Sequence, residues 1–209
     1  MKLSPAELSD KGYVLLDELG HKELVPFIQL YLKKRTKFSL FYYLSNFIIF
    51  GLAGYYFFKG FQLATYSFAD RFAHFSYGIA IALLLLPLHE YIHVLAYKSQ
   101  GALQTSYDAN LKKFYFMALA NQFVANKKEF TVVALAPFAT ITSVLIILLF
   151  AVSQTWLLTI IGVLFAHTAM CSGDFGLLSY FEFHKDKQIV TYDDTTKQVS
   201  YFYMLLQKS

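Results

Sequence analysis

The sequence predicts an all-α membrane protein with four transmembrane helices and small cytoplasmic β-hairpin elements. Hydrophobic residues make up 56% of the 209 residues and charged residues only 15%, whereas about a quarter of an ordinary soluble domain is charged. The apolar residues are grouped in runs of about 20, the length of helix that crosses a hydrocarbon core of roughly 30 Å. Basic residues flank these runs and form no stripe with exposed aromatic residues, so no nucleic-acid partner is expected.

Residues 1–37 are predicted to form a cytoplasmic N-terminal segment. Ser4-Pro5-Ala6-Glu7 has the pattern of a helix start, with a capping serine, a proline at the first helical position and a glutamate that reaches back. Apolar residues at helical spacing from Glu23 to Leu32 predict a second helix, followed by a basic cluster at 33–37. This helix either lies on the inner leaflet or, as we favour, ends in charges that anchor the next helix.

Four apolar runs follow, and each is predicted to form one transmembrane helix within a domain at 38–184. The predicted spans cover residues 38–58, 74–97, 130–152 and 156–180. Tyrosines near both ends of the first run suit the two interfaces of a membrane. Lysines cluster before the first span, between the second and third, and after the fourth. The positive-inside rule therefore predicts a multi-pass plasma-membrane protein with both termini cytoplasmic.

The polar segment between spans two and three is predicted to contain one or two short strands. Side-chain alternation in Phe114-Tyr115-Phe116-Met117 and in Asn121-Gln122-Phe123-Val124 is typical of strands. Asn126, with Glu129 three residues later, predicts the N-terminal cap of the third span. This segment is thus expected to fold as a small element beside the membrane.

The C-terminal segment 185–209 is predicted to be a cytoplasmic hairpin. Strand-like residues at 188–192 and 199–205 flank a turn with two aspartates and two threonines at 193–196. Such a hairpin, together with the element between spans two and three, gives the cytoplasmic side a small β component.

His89-Glu90-Tyr91-Ile92-His93, in the second span, is the motif that indicates chemistry. Residues four apart lie on the same face of a helix, so the imidazoles of His89 and His93 can bind one metal ion. A glutamate beside them is the residue type that activates water in zinc peptidases. Ionisable groups are costly in a membrane helix and usually mark a functional site. We therefore predict a membrane-embedded metallohydrolase rather than a pair of interfacial histidines.

A catalytic zinc uses three protein ligands and a water, so this motif leaves one ligand to be found. The candidates are Asp174, His167, Cys171, Glu182, His184 and Asp108. Asp174 lies about 9 Å inward of the midplane, level with His89 and His93 at about 6 and 12 Å. Small residues precede Asp174 and allow helices to approach closely. We predict Asp174 as the third ligand, against the alternative of a helix-breaking turn at the interface.

Two other residues of the fourth span and two prolines bear on this site. His167 falls too far outward to be a ligand if the helices are straight, so we expect a hydrogen-bonded core histidine rather than a partner of the site. Cys171 is expected to be a small buried residue. Pro87 and Pro137 each remove a helix hydrogen bond and are predicted to kink the second and third spans.

Three motifs in this order resemble the bacterial putative zincin peptidases, a family of small membrane proteins. The motifs are His89-Glu90-Tyr91-Ile92-His93, Ala134-Leu135-Ala136-Pro137-Phe138 and Ser172-Gly173-Asp174. The resemblance covers about residues 75–180 and implies His89, His93 and Asp174 as zinc ligands. It implies Glu90 as the general base. There is a looser likeness to site-2-type intramembrane proteases, but their later signature places the aspartate before a glycine, whereas here a glycine precedes it.

The predicted function is a zinc-dependent metallopeptidase with Zn²⁺ as its cofactor. Its expected partners are the lipid bilayer and a membrane-associated polypeptide substrate. The competing interpretation is a non-catalytic metal-binding membrane scaffold or regulator. A transporter is a weaker alternative, because four spans offer one ionisable cluster and no paired half-helices.

Overall fold

The computed structural model describes residues 3–62, 67–110 and 115–206, and these are mostly helical with small antiparallel sheets. The helices are Leu24–Leu32 (α1), Lys37–Gln62 (α2), Phe68–Leu84 (α3), Leu86–Ser99 (α4), Lys127–Ala151 (α5), Gln154–Met170 (α6) and Ser172–Phe183 (α7). The strands are Tyr13–Gly20 (β1), Thr105–Asn110 (β2), Tyr115–Ala120 (β3), Ala125–Asn126 (β4), Ile189–Asp194 (β5) and Val199–Leu205 (β6). The predicted mostly helical architecture with small β elements is confirmed.

All four predicted apolar runs are helical, but two of them are broken. Two helices, α2 over Lys37–Lys59 and α5 over Lys127–Ala151, are each long and apolar enough to cross a membrane. The other two candidates are bent pairs, with 41° between α3 and α4 and 40° between α6 and α7. By length and composition, the described residues therefore contain two candidate spans, or up to four if each bent pair is one span.

The bend between α3 and α4 lies at Leu85, two residues before Pro87. Proline has no amide N–H and its ring clashes with the carbonyl four residues earlier, so a helix tends to break just before it. Pro87 occupies the first turn of α4, where a missing N–H costs little. The kink predicted at Pro87 is thus present. Pro137 differs, because α5 continues through it without a break.

The bend between α6 and α7 lies at Cys171, where one continuous span is predicted and a helix-breaking turn is the alternative to a metal ligand at Asp174. The residues that follow it, Ser172 and Gly173, are of the kind found at helix kinks without proline. The bend starts a new helix at Ser172, so Asp174 lies in the first turn of α7. A run that reads as one apolar span in the sequence is therefore two helices with different directions.

A four-stranded antiparallel sheet joins the two ends of the chain. Its strand order is β1-β6-β5-β4. The predicted C-terminal hairpin is confirmed as β5 and β6, which pair from Ile189–Met204 to Asp194–Val199. β1 adds to the free edge of β6, from Tyr13–Leu205 to Gly20–Val199. No strand is predicted in residues 13–20 from the sequence, because the partner of this strand lies at the other end of the chain.

β2 and β3 form a separate two-stranded sheet. The strand predicted at 114–117 is present as the first half of β3, although Phe114 lies outside the described residues. The strand predicted at 121–124 is wrong, because β3 ends at Ala120 and Gln122 has a φ of 56°. This left-handed backbone conformation interrupts a strand. The cap predicted at Asn126 is confirmed, since its side chain accepts hydrogen bonds from the backbone N–H groups of Lys128 and Glu129.

Ser4 and Glu7 form the predicted capping box, but the helix that it caps is a single 3₁₀ turn.

α1 and β1 pack against α7. The predicted second helix is present as α1, and a Cβ added at Gly176 of α7 would lie 2.6 Å from Cγ2 of Ile28. The hydroxyl of Tyr180, also in α7, donates a 2.6 Å hydrogen bond to Asp17 of β1. The N-terminal segment thus supports the helix that carries Asp174.

α3 and α6 cross in direct backbone contact at two glycines. A Cβ added at Gly78 would overlap the carbonyl oxygen of Thr159, and one added at Gly162 would overlap that of Phe75. Small residues allow such close approach between helices in a membrane. Because α3 leads into α4 and α6 leads into α7, this crossing sets the distance between the two bends.

Gly78→Ala is expected to destabilise the fold by about 1–3 kcal/mol, because the added methyl group forces the two helices apart. The measurement is the thermal unfolding midpoint of the detergent-purified protein. Gly51→Ala is the matched control, since a Cβ there meets no atom within 4 Å and alanine favours a helix over glycine. Equal midpoints for the two variants would contradict the close crossing.

Candidate metal centre

α4 presents His89 and His93 on one face, one helical turn apart. Their Nε2 atoms are 3.2 Å apart, and both side chains are buried. The two nitrogens point at the same position because the residues are four apart in a helix that starts only at Leu86. The bend at Leu85 therefore sets the direction of the histidine pair.

Asp174 meets the histidine pair from the first turn of α7. Its Oδ2 lies 3.4 Å from Nε2 of His89 and its Oδ1 lies 3.2 Å from Nε2 of His93. The three residues predicted as ligands from the sequence are therefore brought together by the fold. Asp174 is 81 positions after His93 in the sequence. The cluster therefore forms only because the packing of the helices brings α4 and α7 together.

The separations of these atoms fit a zinc ion. Ligand atoms at about 2.1 Å from a tetrahedral zinc lie about 3.4 Å from one another. The observed separations among the two Nε2 atoms and the carboxylate oxygens are 3.2, 3.2 and 3.4 Å. Two imidazoles and one carboxylate also form the ligand type of catalytic zinc sites, which leave the fourth position for water. His89, His93 and Asp174 could therefore hold zinc.

Glu90 lies beside this cluster and is held by a backbone amide. Its Oε2 accepts a 2.7 Å hydrogen bond from the N–H of Ala118 in β3. One of its oxygens lies within 4.8 Å of nitrogen atoms of His89 and His93. The carboxylate is thus close enough to exchange a proton with a group bound between the imidazoles. It is not one of the three groups in mutual contact, which are His89, His93 and Asp174. The sequence does not identify Ala118 as part of the site, because this residue contributes its backbone N–H and not its side chain.

The second ring nitrogen of each histidine also has a partner. Nδ1 of His93 donates to the carbonyl oxygen of Val133 in α5 at 2.9 Å. Nδ1 of His89 lies 3.4 Å from Nε2 of His167 in the last turn of α6. We expected a core histidine rather than a partner of the site, but His167 contacts His89, because the expectation assumed straight helices, whereas α6 ends at the bend. His167 is nonetheless a buried, hydrogen-bonded histidine, as expected.

Among the other candidate ligands, Cys171 and His167 form a second group with His89, whose ligand atoms lie within 4.8 Å of one another. Cys171 is fully buried, as expected, and its Sγ donates to the carbonyl oxygen of His167 at 3.3 Å. Nδ1 of His184 lies 3.1 Å from the carbonyl oxygen of Tyr180. Asp108 binds Nδ1 of His21 at 2.8 Å. These contacts leave Asp174 as the carboxylate that the fold directs to both histidines of the motif.

Glu182 belongs to an ion-pair group at the end of the helix bundle. Its Oε2 lies 2.8 Å from Nζ of Lys127 and 3.3 Å from Nζ of Lys37. Lys127 begins α5, Lys37 begins α2, and Glu182 is near the end of α7. The carboxylate therefore ties three helix ends together instead of serving the metal cluster.

Comparison with known proteins supports one family. A family model described as a putative zincin peptidase matches residues 82–189, about half of the chain. The matched stretch contains the whole cluster of His89, Glu90, His93 and Asp174. No curated protein and no solved structure matches, so the looser likeness to site-2-type proteases has no support from these comparisons.

Asp174→Ala is expected to reduce bound zinc from about one ion per chain to well below one, because two imidazoles bind zinc weakly without a third ligand. The measurement is elemental analysis of detergent-purified protein. Asp186→Ala, which removes an exposed carboxylate beyond α7, is the control and should keep its zinc. Equal zinc in the two variants would contradict the role of Asp174.

Proposed function

The chain belongs to the putative zincin peptidase family, and from this membership we propose that it is a membrane-embedded zinc metallopeptidase that cleaves membrane-associated polypeptides. The observation that carries the proposal is the convergence of His89, His93 and Asp174 at separations of 3.2–3.4 Å with Glu90 beside them. Such a set combines a three-ligand metal site with a carboxylate base.

The four side chains divide the chemistry among them. His89, His93 and Asp174 hold the metal, which when bound supplies Lewis-acid polarisation of a carbonyl and acidifies a water. Glu90 takes a proton from the attacking water and passes it to the leaving amine, so that the C–N bond of the peptide is exchanged for a C–O bond. The buried position of Glu90 keeps bulk water away from this proton transfer.

The edge of β3 supports a polypeptide as the substrate. The N–H of Ala118 points to Glu90 rather than to β2, so one edge of β3 faces the metal cluster. Backbone groups alternate in direction along a strand, and the N–H of Phe116 therefore points to the same side. An extended peptide can pair with such an edge at Phe116, since the N–H of Ala118 is already donated to Glu90. This arrangement would hold the peptide backbone beside Glu90 without demanding a particular side chain.

The surface of the helices supports a position in the bilayer. Large apolar side chains are exposed on the candidate spans, for example Phe47 at 74% and Phe150 at 88%. Soluble proteins rarely expose apolar surface on this scale. We propose that α2, α5 and the two bent pairs cross the plasma membrane, with lipid covering these side chains. The lysine-rich helix ends around Glu182 and the sheet that joins both termini would then lie on the cytoplasmic side.

A non-catalytic metal-binding scaffold is the second candidate. It is favoured by one observation, namely that Glu90 is buried and already bonded to the amide of Ala118. In this arrangement Oε2 of Glu90 is engaged by the strand, which leaves Oε1 to take a proton from water. Turnover by the zinc-loaded protein distinguishes the two candidates, because a scaffold would bind zinc without hydrolysing a peptide.

Glu90→Gln is expected to lower hydrolysis by about 10²–10⁴-fold, since the amide cannot accept the proton from water. The assay follows fluorogenic casein in detergent micelles with zinc present, and metal analysis should show unchanged zinc. Glu23→Gln, an exposed position outside the cluster, is the control and should retain activity. Retained hydrolysis in Glu90→Gln would exclude Glu90 as the base, and a zinc-loaded wild type without turnover on polypeptides would favour the scaffold.

A further inference from the structure

Pro137 removes one backbone donor from the middle of α5. In an α-helix the N–H of each residue bonds to the carbonyl oxygen four residues earlier. Proline has no N–H, and its ring pushes against that carbonyl. The residue four positions before Pro137 is Val133, which is buried. The carbonyl of Val133 therefore lacks its usual helical donor and needs another partner.

That partner is a histidine of the metal cluster. Nδ1 of His93 lies 2.9 Å from the carbonyl oxygen of Val133. A carbonyl oxygen only accepts, so Nδ1 must carry the hydrogen. In the neutral ring this leaves the lone pair on Nε2, the atom that lies 3.2 Å from Asp174 and 3.2 Å from Nε2 of His89. The bond thus selects the tautomer and the ring orientation that a metal at Nε2 requires.

We propose that Pro137 is a positioning residue of the metal centre, because it frees the carbonyl of Val133 to hold His93 as an Nε2 ligand. This inference rests on the metal site of the proposed function. Pro137 lies inside α5, which is assigned as one helix from Lys127 to Ala151. The missing N–H leaves one carbonyl of this helix free to accept the hydrogen bond from His93 of α4.

Pro137→Ala tests this role, because it returns an N–H that competes for the carbonyl of Val133. The dissociation constant for zinc is expected to rise about tenfold, which is the low end of the range for the loss of a hydrogen-bond partner of a metal ligand. The effect should be small because one carbonyl can accept two hydrogen bonds, so part of the bond from His93 would remain. The thermal midpoint of the zinc-free protein should hold or rise, since proline weakens a helix interior. Competition with a chromophoric chelator measures the affinity, and the visible spectrum of the cobalt-loaded protein reports the coordination geometry.

Pro26→Ala is the matched control, since it also removes a proline from a helix, in the first turn of α1, away from the metal cluster. Its zinc affinity should equal that of the wild type. Unchanged affinity and an unchanged cobalt spectrum in Pro137→Ala would overturn the inference while leaving the metal site intact. A wild type that binds no zinc would overturn both. Pro137→Gly restores the same N–H without a Cβ and replaces Pro137→Ala if that variant does not fold.

The bend at Cys171 gives the other histidine of the motif its own partner. His167 precedes the bend and Asp174 follows it, and the two residues approach different nitrogens of His89. Nε2 of His89 lies 3.4 Å from Asp174, whereas its Nδ1 lies 3.4 Å from Nε2 of His167. For Nε2 of His89 to bind a metal, Nδ1 must carry the hydrogen and donate it, so Nε2 of His167 is the acceptor.

The assignment leaves the other ring nitrogen of His167 without a partner in the described part of the chain. Nδ1 of His167 is buried and has no hydrogen-bond partner among the described residues. If Nε2 of His167 accepts, this Nδ1 carries the hydrogen, and the protein tolerates a buried donor without a partner. We infer that His167 is a positioning residue for His89, and that this contact offsets the unfavourable burial. This inference also rests on the proposed metal site.

Two variants of His167 separate the acceptor from the volume of the ring. His167→Phe keeps a buried ring without an acceptor and should raise the dissociation constant for zinc by about 10–100-fold. His167→Gln supplies a carbonyl oxygen and should restore most of the affinity. Cys171→Ser is the control, with an unchanged affinity and cobalt spectrum. Equal affinities for the Phe and Gln variants, or a sulfur-to-cobalt band that disappears in Cys171→Ser, would overturn the inference.

Discussion

The contact of the Asp174 carboxylate with the Nε2 atoms of His89 and His93 limits how the surrounding helices can pack. Three ionisable groups in an apolar helix bundle are unfavourable unless they bind one another or a metal. Their contacts of 3.2–3.4 Å require α4 and α7 to meet at a fixed distance and angle. The two bends supply the angle, and the glycine crossing of α3 and α6 supplies the distance.

Two main-chain groups hold side chains of the site in place. Glu90 is held by the N–H of Ala118 at the edge of a strand, and His93 by the carbonyl of Val133. Both groups are available because regular structure is incomplete at these positions. Among the described residues β3 pairs with β2 alone, and α5 lacks one N–H at Pro137. Interrupted hydrogen bonding at these two places is therefore part of how the centre is built.

The ends of the chain contribute to the same arrangement, although they are far from the motif in sequence. β1 pairs with β6, and α1 packs on α7 at Gly176. The hydrogen bond from Tyr180 to Asp17 adds a polar link to α7. The helix that carries Asp174 is thus supported on the side away from the histidines. This support helps to keep the aspartate at the distance from the two histidines that the structure shows.

Local features could be predicted from the sequence: the apolar runs that became helices, the cap at Asn126, the C-terminal hairpin, and the motif residues His89, Glu90 and His93. Each follows from periodicity or spacing within a few residues. Asp174 could be proposed from its depth and from the small residues before it. The strand at Tyr13–Gly20, the bend at Cys171 and the contact of His167 with His89 became known only from the folded chain. Those features depend on partners distant in the chain, or on backbone groups that every residue carries, and spacing along a sequence records neither.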